Sequence, residues 1–144
     1  MKKLSTLLFV LISAILLNSC SKTAEMITVA ITTQAVAGTY KVTAMTGKDL
    51  SNGNQVDMYA QLSSCQKDDQ EILNADGTYY HVDAGTQCNP PESITANWNL
   101  NLNKITIGNT SGDIQSFDGK TLVVTSTQTY NGTSYSVTET FVRQ

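Results

Sequence analysis

The sequence predicts an all-β chain, a small antiparallel up-and-down β-barrel of about eight strands that follows an N-terminal signal peptide. Three observations carry this. From Gly38 onward, apolar and polar residues alternate with period two in one short segment after another. Between the segments lie turn-forming sets: Ser51-Asn52-Gly53-Asn54, Asn74-Ala75-Asp76-Gly77, Asp118-Gly119 and Asn131-Gly132. Beyond the first twenty residues nothing requires a long helix, and the composition favours Thr, Ser and Asn, which suit strands and turns. The length of 144 residues fits one domain. The net charge is −3, with no basic stripe to neutralise phosphates, so no nucleic-acid partner is expected.

Met1-Lys2-Lys3 is a positive start, and Leu4 to Leu17 is an apolar run broken only by Ser5, Thr6 and Ser13. A spanning helix needs about twenty apolar residues, so this run reads as the core of a secretory leader. Leu17-Asn18-Ser19-Cys20 resembles the lipobox of bacterial lipoproteins, in which the Cys is acylated and becomes the first mature residue. The resemblance implies a signal peptide over 1–19 and a lipidated Cys20 with a tether over 20–36; the strand pattern assigns the rest, 37–144, to the barrel domain. It also implies a membrane partner through the lipid anchor. Two or three acyl chains hold stably where one does not. Ser21 in place of Asp favours the outer membrane, facing either the periplasm or the cell surface. Removing the leader takes away two of the nine cationic side chains and none of the twelve acidic ones.

Residues 26–33 are β-prone, with Ile27, Val29 and Ile31 alternating against Thr28, Ala30 and Thr32; an extra strand and a tether both fit. Tyr40, Val42 and Ala44 begin the regular alternation. Val56 to Leu62 fits a strand or a helical turn. Ile72-Leu73 and Thr78 to Val82 flank a turn and read as a hairpin. Gly85 to Ser93 is a loop containing Cys88, Pro90 and Pro91. Trp98, Leu100 and Leu102 alternate with Asn97, Asn99, Asn101 and Asn103, which predicts one apolar face and one row of amides, returning through Ile105 and Ile107. Asp113 to Phe117 is a short strand. Leu122, Val124, Ser126, Gln128 and Tyr130 share a face of a long one. Asn131-Gly132 is a strong hairpin signal because both residues accept positive φ. Tyr135, Val137, Glu139 and Phe141 return along the last strand. An up-and-down sheet of this size removes its edges by closing, and eight strands enclose either packed side chains or one small ligand.

Of three cysteines, lipidation of Cys20 leaves Cys65 and Cys88, an even pair suited to a disulfide in an oxidising compartment. A metal site would lack ligands, since the chain has one histidine and no CxxC.

Gly38-Thr39-Tyr40 resembles the Gly-x-Trp opening of a lipocalin, with Tyr for Trp. An ordered set follows: Cys65 before Asp68-Asp69, the turn Asp76-Gly77-Thr78, Cys88, then Trp98-Asn99-Leu100. Together they resemble the lipocalin-like domain of Bacteroidetes lipoproteins, over about residues 36–143. The resemblance implies a barrel without a shared catalytic set, so no enzyme activity and no cofactor are expected.

His81, the single histidine, lacks a Gly-x-Ser-x-Gly elbow that would make it part of a hydrolase triad. Asp68, Asp69, Glu71, Asp76 and Asp83 cluster without EF-hand spacing and read as a solvated acidic rim. Asn109-Thr-Ser and Asn131-Gly-Thr read as turns. Tyr40, Val42, Trp98 and Leu100 are the candidate ligand-binding residues, with core packing as the competing role. Two functions follow. One is a lipid-anchored carrier of a small apolar or amphipathic molecule in the barrel mouth. The other is a packed barrel contacting an envelope protein or a glycan. A cavity of about 300 Å³ or more, open at one end, would mark the first; a filled interior with an exposed apolar patch would mark the second.

Overall fold

From the third strand to the last, strand order in space follows strand order in sequence, and most of these connections are tight turns. In the computed structural model, residues 29–144 are described; the leader and the acylation site expected at Cys20 lie outside them. The strands are β1 (Gly38–Asp49), β2 (Gln55–Asp57), β3 (Gln70–Leu73), β4 (Thr78–Val82), β5 (Ser93–Asn101), β6 (Lys104–Ile107), β7 (Thr110–Phe117), β8 (Thr121–Tyr130) and β9 (Thr133–Arg143). All neighbours are antiparallel, and β1 also pairs with β9. That pairing closes an eight-stranded barrel. One edge of β1 is taken by β9 along nearly its whole length. The other is shared between β3, opposite Gly38–Tyr40, and the short β2, opposite Thr46–Lys48.

The turns are built as the sequence requires. β8 and β9 are joined by Asn131 (φ 49°) and Gly132 (φ 81°), both left-handed. β5 and β6 are joined through Leu102, which also takes positive φ and is 85% exposed. Leu102 therefore leaves the apolar face expected for it, because Asn101 pairs with Lys104 and the strand ends there. The ambiguous segment 56–62 divides into β2 and a 3₁₀ turn at Tyr59–Gln61. Single-residue irregularities interrupt β1 between Val42 and Ala44, and β7 between Ile114 and Ser116.

Residues 29–32 form no strand. Thr32 caps a one-turn helix, α1 (Thr33–Val36), by accepting from the Ala35 amide at 3.1 Å. Val29 and Ile31 pack against the core at the closed end of the barrel. There Tyr40 donates its hydroxyl to the Val36 carbonyl at 2.6 Å. The single arginine, Arg143, donates to the carbonyls of Gly119, Ala35 and Ala37 and to the Tyr40 hydroxyl. Its guanidinium lies 5.3 Å from the Tyr40 ring centre and 5.5 Å from that of Phe117. The core above this floor holds Leu73, Trp98, Ile105, Ile114, Leu122 and Val124. The barrel and its core thus lie wholly within the described residues.

The expected disulfide is present. Cys65, on the one-turn helix α2 (Ser64–Lys67), bonds to Cys88 in the β4–β5 loop, with Cα atoms 5.3 Å apart.

Candidate functional site

The barrel interior is not filled. Register sets its rows: Tyr40, Glu71, His81 and Ile94 are paired in succession across β1, β3, β4 and β5, and Leu73, Tyr79 and Ala96 form the next row. On the opposite wall Gly112 faces Ser126, and Val124 faces Glu139. Ala96, Gly108, Gly112 and Ser126 are small, and the space their side chains do not occupy is a half-open cavity of about 410 Å³. A Cβ on Gly112 would approach the Val124 side chain to 2.5 Å, so that wall accepts nothing larger without moving. Tyr40, Leu73, Ile105 and Leu122 form its lower part, and Ile94 with the Gly108–Asn109 turn forms its rim. The lining is mostly apolar.

Two carboxylates interrupt that lining, Glu71 and Glu139. The Glu71 carboxylate accepts a hydrogen bond from the Tyr79 hydroxyl and lies 2.9 Å from His81 Nδ1. His81 Nε2 lies 3.4 Å from Asp69. The hydrogen bond to Glu71, outweighing burial, raises the imidazole pKa above its ordinary value. Burial raises the Tyr79 phenol as well, helped by Glu71, so it stays a neutral donor. Glu139 is different. It has no hydrogen-bond partner and no cation beside it among the described residues. Burial first, and repulsion from Glu71 second, push its pKa up to about 7.

The expected acidic rim is only partly solvated. Asp83 is buried and accepts from the amides of Cys88 and Glu92; Asp69 is buried and accepts from Ala84; Asp68 accepts from Thr86 at 2.8 Å. These carboxylates satisfy backbone donors of the β4–β5 loop, which carries too few ladder bonds of its own. Beside the Cys65–Cys88 bridge they fix that loop at the barrel's open end.

Compared with known families, residues 36–128 match the model of the lipocalin-like domain. The chain belongs to the lipocalin-like domain family. Curated proteins and solved structures give no match. Proteins with this domain generally bind ligands rather than catalyse reactions, and a barrel with an open interior suits that.

Of the four candidate ligand residues, Tyr40 lines the lipocalin-like barrel's cavity. Trp98 is 3% exposed in the core, with its indole N–H donated to the Asn74 carbonyl at 2.7 Å. Leu100 packs against the core, and Val42 lies opposite Phe141 on the β1–β9 ladder. These three are not among the residues lining the cavity. Sequence reasoning did not place Glu71, Tyr79, Ile94, Ala96, Ile107 or Glu139 at a ligand site; Glu71 was read as part of the acidic rim. For Glu139 a signal existed: it shares a strand face with Val137 and Phe141, where a charge is out of place.

Proposed function

We propose that this chain is a lipoprotein of the Bacteroidetes type, anchored at the outer membrane through Cys20, whose lipocalin-like barrel binds a small apolar or amphipathic molecule. The observation that carries the binding role is the half-open, mostly apolar cavity of about 410 Å³, which falls within the range of small-molecule sites. A packed barrel working only through its surface would leave no such volume. The anchor rests on the apolar run ending at Ser19-Cys20.

Native mass spectrometry of residues 21–144 from the periplasm tests the binding role. A co-purified small molecule is the expected result. A clean apo mass, together with no uptake of the neutral probe 1-decanol, would overturn it. Metabolic labelling with radioactive palmitate tests the anchor: the natural chain takes up label and Cys20→Ala does not. Equal labelling of both would place any acylation elsewhere.

A further inference from the structure

A barrel that carried any apolar molecule would gain nothing from charge in its wall. Here the charged side chains lining the cavity are Glu71 and Glu139, and no lysine, arginine or histidine lines it. A carboxylate set in an apolar wall without a protein partner costs free energy even where the cavity is half-open, and one kept there marks a place where a partner is missing. Glu139 is in that position. Its ladder neighbours, Met45 on β1 and Val124 on β8, are uncharged. Among the titratable groups nearby, Glu71 faces it from β3, Tyr79 from β4 and Tyr130 from β8; none supplies positive charge. His81 stands beyond Glu71, held between Glu71 and Asp69. The guanidinium of Arg143 lies at the closed end, committed to three carbonyls and the Tyr40 hydroxyl. Tyr79 and Phe141 add aromatic rings to the wall beside the carboxylates.

We infer that the molecule taken up by this barrel is a cationic amphiphile, its apolar body lying along Leu73, Ile105, Leu122 and Val124 and its ammonium head against Glu71 and Glu139. The inference rests on the ligand-binding reading above and narrows it to one charge class. An ammonium supplies the counter-charge that Glu139 lacks, and the nearby rings favour a cation further. Binding and ionisation of Glu139 are then linked: the cation binds the carboxylate form and releases its proton. Loss of the His81 proton as pH rises makes the wall more negative and acts in the same direction, so removal of the Glu139 charge is what separates the two.

The test is calorimetric titration of residues 21–144, which contain every strand of the barrel, with three ten-carbon probes below their micelle concentrations: decyltrimethylammonium, 1-decanol and decanoate. At pH 8 the cation should bind at least about tenfold tighter than decanol, a difference that one partly buried charge pair supplies, and decanoate should bind weakest. Between pH 6 and 8 the affinity for the permanently charged cation should rise by about tenfold, following the ionised fraction of a group titrating near 7, while that for decanol stays level. Glu139→Gln should abolish both the preference and most of the pH dependence, with Glu139→Asp retaining the preference. If decanol binds as tightly as the cation, the inference falls and the ligand-binding reading stands. If Glu139→Gln keeps the full preference, the head does not sit where we place it. If none of the three binds, both fall together.

Discussion

Glu139 governs how stability responds to pH, and the sign follows from its environment. In the unfolded chain it titrates near the ordinary glutamate value; in the fold its pKa is pushed up to about 7. Between those values the folded state holds a proton that the unfolded state has lost, so stability falls as pH rises through that window. The full difference is worth up to about 3 kcal/mol. His81 acts in the same direction: its raised pKa gives stability that is complete below its unfolded value and lost as pH rises through the folded one. Urea unfolding should therefore show a more stable protein at pH 6 than at pH 8. Glu139→Gln should be the more stable chain at pH 8, by roughly 1–3 kcal/mol, and should flatten the profile. A variant less stable than the natural chain at pH 8 would show that the carboxylate has a partner in solution. This residue was half legible. Alternation along Tyr135, Val137, Glu139 and Phe141 put it on one face with apolar neighbours, but which way that face points, and its isolation, depend on β1, β3 and β4, which only the closed barrel brings round.

The elements were readable where their chemistry is local. Turns are, because a left-handed residue must tolerate positive φ, and Asn131-Gly132 does so. No atom outside its own chain neighbours lies within 4 Å of a Cβ built on Gly132, so a substitution there meets only backbone strain. Gly132→Val should cost about 1–2 kcal/mol with β8 and β9 still paired, read by urea unfolding and by amide exchange along both strands. The disulfide joins α2 to the β4–β5 loop over a sequence separation of 23. Replacing both cysteines by serine should lower stability by about 3–4 kcal/mol on the chain-entropy account, and calorimetry of the double variant would measure it. Residues 29–32 show the opposite case. Their alternation suits a strand, yet both edges of β1 are occupied, so Val29 and Ile31 find burial against the barrel floor instead. The acidic run misled for a related reason: a carboxylate near a loop is drawn inward by unpaired amides, and sequence does not reveal which amides lack partners.

At the scale of the whole molecule, alternation and turns gave the closed barrel but not its contents, since free volume depends on which inward side chains meet across the lumen. Ala96 and Gly112 were unremarkable in sequence and prove to be wall. Ala96→Phe should occupy the cavity, abolish binding of 1-decanol and leave the barrel folded; titration and thermal unfolding report the two effects separately, and undiminished decanol binding would move the ligand elsewhere. The closure at Arg143 carries a consequence of another kind. Arg143 fastens the carbonyls of Ala35 and Ala37 to the β7–β8 turn, and β9 supplies nearly the whole second edge of β1. The first strand must therefore wait, one edge bare, until the last is available. Synthesis runs from β1 towards β9, so a nascent chain has no means of locking the barrel shut until β9 has left the ribosome. Slow folding from long-range pairing follows, and with it an interval in which the hairpins exist but the barrel does not.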